Sequence, residues 1–271
     1  MRTNLFNQYT REFYTEVRSC ERCGDLRLQN CFQCTQEEEC TTFPQCGQAE
    51  LGYYPPEFAF LGQDYDQAEP KLLFLGQIPY WTLDDNVVRW EQGKTAEVVP
   101  QHDQYEEFLT CYRADFTGYK IVNNKDGILD ICAAVFDLPK SPALLEQVAY
   151  TNAAKCPNRS GSESQPNPGY TAKQVTSDIS KMLANCRDDL STEIGILNPD
   201  VIVSFDRSLL RTLEKQTGGK AKDGISGIMP IAGRDRLYIT FYHPSRAAGN
   251  YAQGGISFKD RIRVILDFMK K

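Results

Sequence analysis

Four short apolar runs alternate with helix-like stretches over the last two hundred residues, and this alternation limits the possible folds most strongly. The runs are KLLFLGQ at 71–77, AYTNAAKC at 149–156, DVIVSFD at 200–206 and RLYITFYH at 236–243. Continuous apolar runs of this length are typical of parallel strands buried on both faces. The stretches 127–137, 171–194, 207–217 and 258–271 have helical spacing instead. The pattern predicts an α/β protein, a three-layer α/β/α domain with a central four-stranded parallel sheet.

Polar motifs follow three of these strands, namely GQIPYW, NAAKC and HPS. Ligands of open parallel sheets bind beyond the carboxyl ends of the strands, so the three motifs are expected to meet at one edge. His243 ends the last strand, and its imidazole could donate a hydrogen bond to negative charge on a leaving group. The amide of Asn152 has one acceptor and two donors, which suits the edge of a planar base. A turn-capping role for Asn152 is the alternative.

Ten cysteines are many for a chain that is expected in the cytoplasm. The N-terminus is amphipathic and carries acids, which is unlike a signal peptide, and we expect a cytoplasmic protein. No window approaches the roughly 20 apolar residues that a membrane span needs. Because disulfides are disfavoured in the cytoplasm, the clustered cysteines indicate metal. We expect an N-terminal helix and cysteine-rich metal-bound subdomain over 1–69, followed by the α/β/α domain over 70–271.

The net charge of −6 argues against a broad nucleic-acid-binding surface but allows a local basic patch. The last third of the chain offers several basic residues for such a patch. They are Arg234, Arg236, Arg246, Lys259, Arg261 and Arg263. A solvated helix face with charged loops is the alternative explanation.

Taken in order, the motifs KLLFLGQIPYW, TNAAKCPNR, NCRDDLSTEIGILNPDVIVSFD and YHPSRAAGN resemble those of the uracil-DNA glycosylase superfamily. The likeness is greatest to the iron–sulfur-containing family 4 and covers about residues 70–268, together with an N-terminal CxxC. The resemblance implies a monomeric DNA-repair hydrolase that flips a base out of DNA and cleaves its N-glycosidic bond. Uracil or a related deaminated base is the implied target.

The resemblance also implies a 4Fe–4S cluster on Cys20, Cys23, Cys156 and Cys186. The cysteines Cys31, Cys34, Cys40 and Cys46 are left over, and they have the ligand count of a structural zinc site. The two N-terminal pairs could exchange these roles. The resemblance favours the pair Cys20–Cys23 for the cluster, because a predicted helix precedes it and GDLRL follows it, as in the family. Cys111 and Cys132 have apolar neighbours and are expected in the core.

The first motif departs from the family in its acidic residue. Gln77 stands where family 4 has Glu. Ile78 stands where family 1, another branch of the superfamily, has Asp. Cleavage through an oxocarbenium-like state needs a carboxylate, and Asp84 and Asp85 in the following loop are the predicted replacements. A solvated pair of loop acids is the alternative. His243 is the third predicted catalytic residue.

The predicted base-binding residues are Gln77, Tyr80, Phe116 and Asn152. Phe116 is assigned because the stacking segment of family 4 is rewritten here as YRADFTGYK, and Phe108 is the alternative. Ser245 and Arg246 are expected to contact DNA.

Two other functions remain open from the sequence. The missing carboxylate is compatible with a catalytically inactive DNA-binding member of the superfamily. The cysteines are compatible with an iron–sulfur or zinc protein that has a redox or interaction role. The sequence does not decide which base is removed, or whether single- or double-stranded DNA is preferred.

Overall fold

A computed structural model of the chain describes residues 4–9, 12–13, 32–34, 59–77, 116, 118–155, 175–177, 179–221, 224–244, 247–252 and 255–271. Within these ranges the helices are α1 Asn4–Tyr9, α2 Lys120–Asn123, α3 Ile128–Phe136, α4 Ile179–Asn185, α5 Arg187–Leu197, α6 Arg207–Thr217, α7 Ala247–Ala252 and α8 Phe258–Met269. The strands are β1 Phe32–Cys34, β2 Phe60–Leu61, β3 Leu72–Gly76, β4 Val148–Asn152, β5 Val175–Ser177, β6 Val201–Ser204, β7 Lys220–Ala221, β8 Ser226–Ile231 and β9 Arg234–Thr240. Short 3₁₀ helices at Tyr65–Gln67 and Pro142–Gln147 precede β3 and β4.

The α/β class predicted from the sequence is confirmed. In the described part of the chain, seven strands form one mixed sheet in the order β2-β4-β3-β6-β9-β8-β7. β3 is parallel to β4 and β6, and β6 is parallel to β9. The outer strands β2, β7 and β8 are antiparallel to their neighbours. The sheet is therefore larger than the four strands expected, and its edges differ in direction from its centre.

Helices cover both faces of this sheet because the central strands are apolar on both sides. In β3, Leu72 and Phe74 join one hydrophobic cluster, whereas Leu73 and Leu75 join the other. The first cluster packs against α3 and α8, and the second packs against α1, α4, α5 and α6. Successive side chains of a strand point to opposite faces of the sheet. A strand that is apolar throughout must therefore be packed against other elements on both faces.

Helix ends follow local capping chemistry. Asp206 is the N-cap of α6 and accepts a hydrogen bond from the backbone N–H of Ser208 at 2.7 Å. Gly218 ends the same helix with φ +73°, a left-handed conformation that suits glycine. Ser257 caps α8 by accepting from the N–H of Asp260. The helices predicted at 207–217 and 258–271 are thus confirmed with nearly their expected bounds.

One expectation about secondary structure is wrong. The single helix expected over 171–194 is instead a strand, β5, followed by two helices that meet at Cys186. In addition, the sequence did not indicate β8, which forms a hairpin with β9. Gly227 and Pro230 obscured this strand, because both residues are unusual in strand interiors. Pro230 lies beyond the reach of β7, which pairs only with Gly227 and Ile228.

The described part of the N-terminal segment packs onto the α/β domain. Leu5, Tyr9 and Phe13 are buried in the cluster that contains α5. β1 pairs with β5 in a separate two-stranded sheet. Most of residues 1–69 lie outside the described residues, so the proposed subdomain boundary stays a prediction. No helix in the described ranges is long and apolar enough to cross a membrane.

Candidate functional site

The carboxyl ends of the parallel strands lie side by side in register. Gly76 at the end of β3 is opposite Asn152 at the end of β4. On the other side, Leu75 is opposite Ser204 of β6, and Ser204 is opposite Thr240 of β9. We call this the carboxyl edge of the sheet. Three predicted site residues, Gln77, Asn152 and His243, belong to it or follow it directly.

Asn152 is held tightly at this edge. It is only 2% exposed. The Tyr150 hydroxyl donates to its Oδ1 at 3.2 Å, which favours one of the two amide orientations. Both side chains lie across Gly76, where an added Cβ would fall 2.5 Å from Tyr150 Oη and closer still to Asn152 Oδ1. The glycine of the first motif is therefore needed for the close approach of Asn152 to β3.

Gln77 links β3 to the first turn of α6. Its Nε2 donates to Ser208 Oγ at 3.1 Å. Its backbone carbonyl accepts from the N–H of Ala154 at 2.9 Å, and the carbonyl of Gly76 accepts from the N–H of Ala153 at 2.9 Å. These bonds extend the β3–β4 pairing past the last residues of the strands. The chain segments that follow β3 and β4 therefore run side by side beyond the ends of the two strands.

His243 stands three residues past β9 with an exposed side chain. Its ring meets that of Phe205 nearly edge-on, with centroids 6.4 Å apart at 73°. Phe205 in turn lies parallel to Phe74, with centroids 6.3 Å apart. The N–H of Phe241 donates to the Ser204 carbonyl at 2.7 Å and continues the β6–β9 pairing toward His243. The imidazole is thus accessible to a ligand while its ring packs beside the end of β6.

A buried arginine supports the chain that leads to His243. Arg261 of α8 donates through Nη1 to the Thr240 carbonyl, and its Nε donates to Ile256 O at 3.1 Å. Its guanidinium lies 4.7 Å from the centroid of the Tyr242 ring and 5.8 Å from that of Tyr251. Burial raises the pKa of Tyr251 to about 12, although the Arg261 charge lowers it. Tyr251 is therefore neutral near pH 7.

Two residues of the expected basic patch are not surface groups. Arg236 and Arg261 are each 1% exposed. Arg236 donates to the Pro199 carbonyl at 2.7 Å and to Asn198 Oδ1 at 3.1 Å. Both guanidiniums are hydrogen-bonded within the protein, so neither is available to bind phosphate.

Asp206 is a carboxylate at the carboxyl edge that the sequence reasoning did not select. It comes two residues after the end of β6 and is partly exposed. Its carboxylate holds the first turn of α6, through Ser208, which also accepts the hydrogen bond from Gln77. The sequence DVIVSFD could have indicated Asp206, because this acid comes two residues after a buried strand whose carboxyl end lies at the site.

Phe116 lies in the core behind Tyr150. It is fully buried and stacks on Phe60, with centroids 4.7 Å apart and planes at 27°. Its centroid is 5.1 Å from that of Tyr150, the residue that bonds Asn152. Phe116 therefore supports the Asn152 side chain through Tyr150. A direct contact of Phe116 with a base stays a prediction.

Cys186 is the one predicted cluster cysteine whose side chain falls within the described residues. It is buried at the N-cap of α5, and its Sγ accepts from the backbone N–H of Lys155 at 3.5 Å. In the sequence, Lys155 immediately precedes Cys156, another of the four predicted ligands. An N–H···S bond of this kind is common around cluster thiolates, and the surroundings of Cys186 fit such a ligand.

The remaining cysteines divide between core and undescribed segments. Cys132 is fully buried in α3, where burial raises the pKa of its thiol, and its expected core position is confirmed. Cys34 is the last residue of β1. Within the described ranges no group of three or more His, Cys, Asp or Glu side chains has a metal-binding arrangement. The other predicted metal ligands lie outside these ranges: Cys20, Cys23, Cys31, Cys40, Cys46 and Cys156.

Several predicted catalytic, base-binding and DNA-binding residues also lie outside the described residues. They are Tyr80, Asp84, Asp85, Ser245 and Arg246.

The sequence was compared with protein-family models and with curated proteins, and neither comparison gave a match. The likeness to uracil-DNA glycosylases accordingly depends on the ordered motifs themselves. Three of those motifs lie at the carboxyl ends of strands that share one edge, and three of their polar residues, Gln77, Asn152 and His243, are described there.

Proposed function

We propose that this protein excises uracil, or a related deaminated base, from DNA by hydrolysing the N-glycosidic bond. The observation that supports the proposal best is the buried Asn152 amide, oriented by Tyr150 at the same sheet edge that His243 follows. A buried amide with a fixed orientation can distinguish the edge of one base from that of another. An exposed imidazole beyond the carboxyl end of another strand of the same sheet suits the departure of a base as an anion.

In the proposed reaction the target nucleotide is flipped out of the DNA into the carboxyl edge. Asn152 reads the base through its amide. As the glycosidic bond breaks, the bonding electron pair goes to the base, and His243 donates a hydrogen bond to the oxygen that gains negative charge. Water then adds to the sugar carbon through its oxygen, and the proton that it loses passes to the catalytic carboxylate and finally to the released base anion. Tyr80 and Gln77 are proposed to contact the base, and Ser245 and Arg246 the DNA.

A carboxylate must orient the water and stabilise the positive charge on the sugar. Asp84 and Asp85 are the candidates from the sequence. Asp206 is a third candidate, because it follows β6 at the same edge. Ser208 links it to Gln77, since Ser208 donates to Asp206 and accepts from Gln77. Asn caps helices about as well as Asp, so Asp206→Asn removes the charge with little loss of helix capping.

We further propose that Cys186 and Cys156, with Cys20 and Cys23, hold a 4Fe–4S cluster. The buried Cys186 thiol beside the segment that leads to Cys156 supports the first pair. When bound, such a cluster would join the N-terminal segment to two later loops and stabilise the fold. A structural zinc on Cys31, Cys34, Cys40 and Cys46 is proposed from the spacing alone.

The test is excision on oligonucleotides that carry uracil, hypoxanthine or xanthine, read as strand cleavage after alkali treatment. The wild-type protein is expected to cleave at least one of them, and His243→Ala is expected to abolish cleavage. Asp84→Asn, Asp85→Asn and Asp206→Asn are compared in the same assay, and the variant with the largest loss identifies the carboxylate. Iron and zinc are measured in the same preparations.

Binding of these oligonucleotides without cleavage would instead favour an inactive DNA-binding protein. Gln77 and Ile78, which replace the usual acids of the first motif, are the observation behind that alternative. Reversible electron transfer without any affinity for DNA would reject both functions in favour of a redox protein.

A further inference from the structure

An ion pair is completely buried directly behind Asn152. Lys155 is 1% exposed, and Glu193 of α5 is inaccessible to solvent. The Lys155 ammonium donates to Glu193 Oε2, to Thr151 Oγ1 at 3.0 Å and to the backbone carbonyl of Asn152 at 2.6 Å. An ammonium has three donors, so each of them has an acceptor here.

Glu193 joins this lysine to two further segments. Its carboxylate accepts from Thr151 Oγ1 at 3.0 and 3.1 Å and from the Tyr9 hydroxyl at 2.7 Å. Tyr9 Oη accepts in turn from the N–H of Ala59 at 3.1 Å. Each oxygen of the carboxylate thus accepts from at least two protein groups, and the carboxylate holds the lysine in one position.

A buried pair of this kind adds little stability compared with apolar side chains of similar volume, because both charges must be desolvated. Its clearest structural effect lies at the end of β4. Within the described residues, the antiparallel strand β2 pairs with β4 at Ala149 and Tyr150 and does not extend to Asn152. On the other side, the N–H groups of Ala153 and Ala154 are bound to β3 and to the residue after it. Lys155 thus donates to the Asn152 carbonyl beyond the last residue that β2 covers.

We propose that Lys155, held by Glu193, is a positioning residue that fixes the backbone of Asn152 at the carboxyl edge. The bond from Lys155 closes a short loop of chain over Asn152, Ala153 and Ala154, and β3 fixes the opposite side of the same loop. The direction of the Asn152 side chain follows from its backbone. The link to base recognition depends on the function proposed above, whereas the fixing of the backbone can be measured without it.

The experiment compares the full-length double variant Lys155→Met/Glu193→Leu with Tyr9→Phe. The double variant removes both charges and keeps apolar volume, so its melting temperature is expected to stay close to that of the wild type. Tyr9→Phe is the matched control, because it removes one bond to Glu193 but leaves all three bonds of Lys155. The first readout is hydrogen–deuterium exchange at the amides of Ala153 and Ala154. We expect exchange about tenfold faster or more in the double variant and unchanged exchange in Tyr9→Phe.

The second readout is excision of uracil from an oligonucleotide. We expect kcat to fall about 10- to 100-fold in the double variant, since a displacement of about 1 Å in a site has effects of that order. Affinity for the same oligonucleotide without uracil should not change. Wild-type exchange in the double variant would overturn the proposal, and so would loss of iron, because the effect would then come from the cysteine site. If the wild-type protein excises no base, the proposed function fails, and the exchange measurement alone decides whether Lys155 fixes Asn152.

Discussion

Gly76→Ala tests whether the packing of Asn152 against β3 is required for the site. The new methyl group would lie 2.5 Å from Tyr150 Oη, whereas ordinary contacts begin near 3.4 Å. Tyr150 must therefore retreat by about 0.9 Å, and Asn152 Oδ1, which is closer, must move further. The 3.2 Å bond between these two side chains cannot survive unchanged. Since Asn152 is 2% exposed, its side chain has little space into which to move.

Two opposing effects set the expected stability. Overpacking a core typically costs about 1–3 kcal/mol. Replacing glycine by alanine in a strand recovers roughly 0.5–1 kcal/mol through lower chain entropy in the unfolded state. We therefore expect the free energy of unfolding to fall by about 1–2 kcal/mol, which leaves the protein folded at 25 °C. Excision, by contrast, should fall about 100-fold, because the amide that reads the base is displaced by about 1 Å.

The assays are urea denaturation followed by circular dichroism and single-turnover excision of uracil. Gly118→Ala is the matched control, since an added Cβ there meets no atom of the described residues within 4 Å. It should not lower the unfolding free energy, which the lower chain entropy of the unfolded state can raise by up to about 1 kcal/mol, and it should leave the rate of excision unchanged. A Gly76→Ala protein with wild-type excision would refute the role of Asn152 as a fixed reader. Partial recovery in Gly76→Ala/Tyr150→Phe would identify the hydroxyl as the group that clashes.

Three further variants test other parts of the structure. His243→Ala should abolish excision but change the unfolding free energy by no more than about 0.5 kcal/mol, because the side chain is exposed; a large loss of stability in urea denaturation would instead make it a structural residue. Cys186→Ala should lose most of the iron measured by elemental analysis, while Cys132→Ala, which is equally buried, should keep it; equal iron in both would exclude Cys186 as a ligand. Glu193→Ala should lower the unfolding free energy by about 3–5 kcal/mol, because it leaves the Lys155 ammonium buried without its carboxylate; a loss below about 1 kcal/mol would show that water or another group replaces it.

Periodic and capping signals predicted much of the fold. The four apolar runs correspond to β3, β4, β6 and β9. They could be predicted because each run is apolar on both faces, unlike an amphipathic helix or a half-exposed strand. The helix at 207–217 has a capping acid before it and a glycine after it, and both ends are local chemistry. β8 was not predicted because its glycine and proline are unusual in strands. They are accommodated by the way that β8 pairs with β7 and β9, and the local sequence does not reveal this pairing.

The candidate site, like the fold, could be predicted only in part from the sequence. The sequence by itself determined that polar motifs follow buried strands, so Asn152 and His243 could be selected from the residue types at strand ends. Only the tertiary structure decided what holds them there. Tyr150, Lys155 and Glu193 surround Asn152 through contacts that join β4 to a helix about 40 residues later and to the N-terminal helix. Such contacts depend on which elements pack together, and a buried charge is distinguished from a solvated one only by its surroundings.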